Sequence, residues 1–314
     1  KVKEKIILPF DEAYNNKLNI DWQNFTPYAP SKLGIEVLVN MDLSVLRDYI
    51  DWTPFFQTWE LHGRYPDILQ DELVGNEATK LFKDANEMLD DVIKNNTLKA
   101  SGVVGIFEAS ELNGDVVLPN EGITFNFLRQ QRKMGSNIPN LSLADYVAPK
   151  ETEKKDYIGA FAVTAGIGIE KLIDAFEADH DDYNSILIKA IADRLAEAFA
   201  EYLHQKVRKD NWGYAKDETL TNRELISEKY QGIRPAAGYP ACPDHTEKEK
   251  LWKLLDVENN TGISLTESFA MYPTASVSGL YFSHPDSKYF AVGKIKEDQV
   301  TNYAKRKGQD FEKV

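Results

Sequence analysis

The clearest hydrophobic periodicity lies in residues 76–94. Ala78, Leu81, Phe82, Ala85, Met88, Leu89 and Val92 recur at helical spacing and predict an amphipathic helix. Residues 103–107 (VVGIF) instead form a short apolar run of the kind that fills a buried strand. Asn113-Gly114 then stands between β-compatible runs and predicts a hairpin, continued by strands at 116–118 and 123–127. A second strand group follows at 157–163. The longest helical pattern covers residues 181–207, with Tyr183, Ile186, Leu187, Ala190, Ile191 and Leu195 along one side. Its many alanines allow close approach of a neighbouring element.

Shorter signals fill the gaps. Asp42 is placed to cap a short helix, and Pro54 predicts a helix exit or break at Thr53. Thr221 and Glu224 have capping-box spacing. Residues 246–256 predict a helix with Leu251, Leu254 and Leu255 inward, stopped at Asn260-Thr261-Gly262. Residues 277–282 and 289–293 predict late strands, and 296–307 a terminal helix. Residues 1–41 read as an extended leading segment. Strands cluster in hairpins with helices between the clusters, which is an α+β pattern, not βαβ alternation. One domain over residues 1–314 fits best, with the turn-rich stretch 145–156 as the place where a subdivision would fall.

Charge narrows the partners. The 314 residues carry 37 Lys+Arg against 50 Asp+Glu, a net charge of −13. So acidic a surface repels phosphate backbones and anionic membranes, excluding nucleic acid as the expected partner. No apolar run is long enough to span a bilayer. The lone Cys242 excludes a disulfide framework and a thiolate zinc site, and fits a reducing cytoplasm. The absence of an initiator Met suggests a fragment of a longer protein.

Several constellations have chemical potential. Gly166-Ile167-Gly168 opens like a dinucleotide fingerprint, but Glu170-Lys171 stands where the third Gly is needed, leaving a glycine turn. Cys242 and His245 suggest a nucleophile pair, against the plain reading of a buried cysteine. None of the five histidines pairs with another at i, i+4, so no metal site is expected. Residues 234–242 (RPAAGYPAC) are richer: one guanidinium, one Gly, one Tyr and stiffening prolines. Arg234 suits a carboxylate, Gly238 allows close backbone approach, and Tyr239 can pack on a ring or cation. Asp51 sits beside Trp52, Phe55 and Phe56, and residues 283–290 form a polar turn between apparent strands.

Taken together, residues 49–56 (YIDWTPFF), 234–242, 276–279 with 283–289, 156–164 and 193–204 resemble the activation domain of cobalamin-dependent methionine synthase. The pattern Arg-x-x-x-Gly-Tyr-Pro-x-Cys carries most weight, and the similarity covers nearly the whole chain. The resemblance implies a C-shaped α+β domain with a central twisted antiparallel sheet flanked by helices, cut from the C-terminal end of a multi-module methyltransferase. It implies binding of S-adenosyl-L-methionine, whose methyl group reactivates inactive cob(II)alamin on a neighbouring module while flavodoxin or a similar donor supplies one electron. By the same resemblance Arg234 holds the methionine carboxylate and Asp51 the ammonium or polar tail. Gly238, Tyr239 and Ala241 meet the adenosyl part, and Tyr289 and Phe290 flank the ligand. Phe290 stands where the family often has a second Tyr, and Ala237 where Pro is commoner. Asp193 and Glu197, four apart on one helix face, are implied to meet the cobalamin module.

No catalytic acid, base or nucleophile is implied, because the chemistry belongs to the sulfonium and the cobalt. The chain has no Asp-x-His-x-x-Gly cobalamin motif, so by itself it is expected to bind the ligand but not to make methionine. The rival expectations are a Cys–His hydrolase and a docking cap without a ligand of its own. A basic patch at Arg129, Arg132 and Lys133 is the expected landing place for an acidic electron donor.

Overall fold

The computed structural model describes residues 6–313. The first five residues of the leading segment lie outside the described residues. The chain runs α1 (Phe10–Asn15), β1 (Gly34–Met41), α2 (Leu43–Arg47), α3 (Thr53–Thr58), α4 (Gly75–Asn95), β2 (Lys99–Leu112), β3 (Asp115–Leu118), β4 (Ile123–Asn126), β5 (Asp156–Ile167), α5 (Ile169–Ala178) and α6 (Asp182–Lys206). Then come α7 (Asn222–Ile226), α8 (Glu247–Leu255), α9 (Val257–Thr261), β6 (Ser264–Leu265), β7 (Met271–Tyr272), β8 (Ser276–Tyr281) and α10 (Glu297–Lys307).

The main sheet is antiparallel throughout, in the order β4-β3-β2-β5-β8, with β1 also paired to β2. It curls into a half-barrel. Both of its faces are covered. Val104, Ile106, Phe161 and Val163 face a core shared with α4 and α6. Val103, Phe107, Ala160 and Ala162 face a second core, with Leu251, Leu254 and Leu255 of α8. β2 and β5 are buried on both faces along most of their length, so they lack polar alternation, and each extends beyond the runs at 103–107 and 157–163.

The local signals hold where they rest on hydrogen bonds. Asp42 accepts the Ser44 N–H at the start of α2, and Thr221 and Glu224 close a capping box on α7. Asn113 and Gly114 both have positive φ, the conformation of a two-residue hairpin turn. Three expectations change. Pro54 lies in the first turn of α3, where its missing N–H costs nothing, so this is a helix start. Tyr183 and Ile186 are exposed, because α6 buries Leu187, Ile188, Ile191 and Leu195. Asp256, in a left-handed conformation, ends α8 before the short α9. In the turn-rich stretch 145–156, residues 145–148 and Asp156 are buried, and 149–155 are half-buried or exposed.

Candidate functional site

The site begins where the chain adds an edge to the sheet. Ile233 and Phe282 exchange both backbone hydrogen bonds, and Leu280 N–H donates to Pro235 O at 2.9 Å. Residues 233–235 therefore run as an extra strand beside β8. Successive side chains of a strand point to opposite faces. Ile233 enters the second core, and Arg234 is turned the other way, towards α6. Gly279 makes this approach possible, since a Cβ there would stand 2.7 Å from Pro235 O.

The chain then turns tightly. Gly238 N–H donates to Cys242 O at 2.7 Å, and Cys242 N–H to Tyr239 O at 2.9 Å. Gly238 has φ +93°, and a Cβ there would run into the His245 ring. Val292 N–H donates to Pro240 O at 2.8 Å, laying residues 289–292 along the turn. That segment forms no strand, contrary to the sequence expectation: this bond is the backbone tie that holds it here.

Between these segments lies a cleft of about 560 Å³, within the range of small-molecule sites. Arg234, Tyr239, Ala241, Tyr289 and Phe290 line it, together with Ser276–Ser278 of β8 and Glu197 of α6. Gly238 holds the turn without lining the wall. Tyr239 is largely exposed at the mouth, and Phe290 packs partly on the second core. Arg234 and Glu197 also open onto a side chamber of about 220 Å³, where Asp51 lies. Asp51 is not enclosed by the aromatic cluster: its Oδ1 accepts the Thr53 N–H at 3.0 Å. Asp193 is exposed on α6 and lines neither cavity.

Arg234 is held on several sides. Its Nη2 donates to Glu201 Oε2 at 2.7 Å, and its Nη1 to Tyr230 Oη at 2.9 Å. Nη1 also lies 3.1 Å from His204 Nδ1. A guanidinium only donates, so Nδ1 is the accepting nitrogen and the His204 proton sits on Nε2. Burial, then Arg208 and Arg234, hold the His204 pKa well below its ordinary value, so the ring is neutral. Burial opposes the charge on Arg234, but Glu201, Tyr230 and Tyr289 outweigh it and raise its pKa. The backbone N–H of Arg234 donates to the Tyr289 hydroxyl at 3.0 Å, tying the two walls of the cleft together.

Sequence reasoning missed Glu201, His204 and Tyr230. The signal was present: Glu201 continues the Asp193, Glu197 register by one more step of four, and His204 follows at i+3. It also missed Lys248 in the cleft wall. Lys248 Nζ donates to Phe269 O at 2.9 Å, and burial lowers its pKa.

Other expectations are corrected. Cys242 is buried and burial pushes its thiol pKa up, while His245 is exposed, so the pair has no activated thiolate. Arg129 is buried and bonds both oxygens of Asp145, at 2.6 and 2.7 Å. The expected basic patch therefore shrinks to the exposed Arg132 and Lys133. Gly168 is a left-handed turn residue before α5. Among the described residues no cluster of metal-ligating side chains occurs, and no helix is long and apolar enough to cross a membrane.

The fold and cleft define an α+β module with a cavity between an added sheet edge and a long helix. The model of the vitamin B12-dependent methionine synthase activation domain matches residues 42–308, and the chain belongs to that family. It is also similar to a crystal structure of the MetH reactivation domain bound to AdoHcy. The identity is 55%, the match covers 98% of this chain and 96% of that one, and the TM-score is 0.95.

Proposed function

We propose that the cleft binds S-adenosyl-L-methionine and presents its methyl group for reductive methylation of inactive cob(II)alamin carried by a neighbouring module of the same methyltransferase. One observation carries this reading. Arg234, Tyr239, Ala241, Tyr289 and Phe290, far apart in sequence, line one cavity, and Asp51 joins them through the chamber that shares Arg234. The AdoHcy held by the similar reactivation domain is the demethylated form of the proposed ligand.

In this reading Arg234 takes the ligand carboxylate. Nη1 and one Nη2 hydrogen are committed to Tyr230, His204 and Glu201. Among the described residues Nε meets no acceptor, which leaves that side of the planar fork for a second carboxylate. Asp51 faces the ammonium or the polar tail of the ligand, the turn at Gly238–Ala241 lies against the adenosyl group, and Tyr289 and Phe290 close the other wall. Glu197, with Asp193 one turn away, faces the cobalamin module. Cobalamin would supply the acceptor for the sulfonium methyl and for one electron from flavodoxin or a similar donor, and neutral S-adenosylhomocysteine would be left in the cleft. The chain itself contributes position, and no residue needs to exchange a proton.

The test uses the full multi-module enzyme in its cob(II)alamin form, with methyl-labelled S-adenosyl-L-methionine and a one-electron donor. Label is expected on the corrin and is expected to be strongly reduced by Arg234→Lys. Label transfer unaffected by that change would move the site. Donor-dependent docking without label transfer would favour a docking cap.

A further inference from the structure

The two oxygens of Glu201 stand in different circumstances. Oε2 receives the Arg234 Nη2 hydrogen at 2.7 Å. Oε1 is buried and meets no hydrogen-bond donor among the described residues. A carboxylate oxygen withdrawn from water without a donor carries its full desolvation penalty. The residue belongs to the wall of the side chamber, where Asp51, Glu197 and Glu201 face Arg194 and Arg234. Three carboxylates against two guanidiniums favour a cation there. The chamber, about 220 Å³ and joined to the cleft through Arg234 and Glu197, suits the small end of a ligand better than an adenosyl group.

An α-amino acid carries its ammonium and carboxylate on one carbon, so its two receptors must be neighbours. Glu201 and Arg234 are such neighbours. We propose that Glu201 is a ligand-binding residue: Oε1 receives the α-ammonium of the ligand while Oε2 holds Arg234 ready for the carboxylate. One carboxylate thus both positions the guanidinium and completes the recognition of the zwitterion. The inference rests on the reading of the cleft as a site for S-adenosyl amino acids.

Three probes separate the possibilities by calorimetric titration: S-adenosylhomocysteine, its analogue lacking the α-amino group, and methylthioadenosine, which lacks the amino-acid end. Each is titrated into the wild-type chain and into Glu201→Gln. The amide oxygen of Gln keeps the bond to Arg234 and puts an N–H₂ in the place of Oε1. Glu201→Gln is expected to weaken S-adenosylhomocysteine by roughly 10- to 100-fold, the worth of a hydrogen bond to a charged group. It should leave the deaminated analogue and methylthioadenosine nearly unchanged. Equal losses for S-adenosylhomocysteine and the deaminated analogue would overturn the proposal and reduce Glu201 to a positioning residue. Unchanged or tighter binding of S-adenosylhomocysteine would overturn it too, since Glu201 would then compete with the ligand for Arg234. A wild-type chain that binds none of the probes would instead overturn the reading of the cleft itself. If thermal melting shows that Glu201→Gln does not fold, a crystal structure of the wild-type chain with S-adenosylhomocysteine decides. An ammonium nitrogen within about 3.2 Å of Oε1 supports the proposal, and one hydrogen-bonded elsewhere overturns it.

Discussion

Arg234 has a structural tie as well as a proposed ligand, and the two are separable. Glu201 is buried and ion-paired with it, so truncating the guanidinium leaves a carboxylate without its counter-charge. Breaking such a pair costs about 3–5 kcal/mol. Arg234→Ala is therefore expected to lower the melting temperature by several degrees and to weaken ligand binding as well. Arg234→Lys retains the charge but not the fork. It should keep most of the melting temperature while losing at least tenfold in affinity; thermal melts beside calorimetry check both. Tyr289 offers a finer test. Its hydroxyl accepts the Arg234 backbone N–H, so Tyr289→Phe should cost about 0.5–1.5 kcal/mol of stability, readable by urea unfolding. A Tyr289→Phe chain as stable as wild type would deny that tie. Legibility at this scale followed chemistry: Arg234 and Asp51 stand in a memorable string, whereas Glu201 and His204 look like any polar residues of a long helix. Their partner sits 33 and 30 residues away, and no local pattern reports that separation.

Elements explain why the cleft exists. The added edge strand at 233–235 carries Arg234 to α6, and the Gly238 turn returns the chain over His245. Gly238→Ala is expected to destabilise the chain by about 1–3 kcal/mol, mainly through φ +93°, since the exposed His245 ring can swing aside. Affinity should fall with it, and differential scanning calorimetry with and without ligand would show both. An unchanged melting temperature would mean that the turn relaxes freely. The Asp42 cap, the Thr221–Glu224 capping box, the Asn113-Gly114 hairpin and the amphipathic α4 were legible because each is decided by residues within a few positions. The 289–293 segment was not. It has the composition of a strand, but β8 already gives its free edge to residues 233–235, so no ladder remains for it to join. Pro54 misled for a similar reason: the same ring that ends one helix suits the first turn of the next.

At the scale of the molecule, the two cores on either face of the half-barrel sheet hold the cleft between a rigid edge and a rigid helix. The terminal helix α10 is joined to the turn after Cys242 by charge. Lys307 lies 2.6 Å from Asp244, and Tyr303 donates to the same carboxylate at 2.8 Å. Burial opposes ionisation of Asp244, but Lys307, Thr246 and Tyr303 outweigh it and bring its pKa down to about 2. A carboxyl lowered in the folded state stabilises above its unfolded pKa, and that stability is lost as pH falls through the folded value. Melting temperature should thus fall between pH 4 and 2, less steeply in Asp244→Asn; an identical pH slope in both would remove Asp244 from the account. The fold class was legible from the alternation of hairpins and helices, while the second buried face of the sheet was hidden because continuous apolar runs do not say what covers them. The most direct test of the central claim is calorimetric titration of S-adenosyl-L-methionine into this chain. The result expected is saturable binding at one site that weakens at least tenfold in Arg234→Lys. Absence of binding by the intact chain, both alone and with the cobalamin module present, would contradict it.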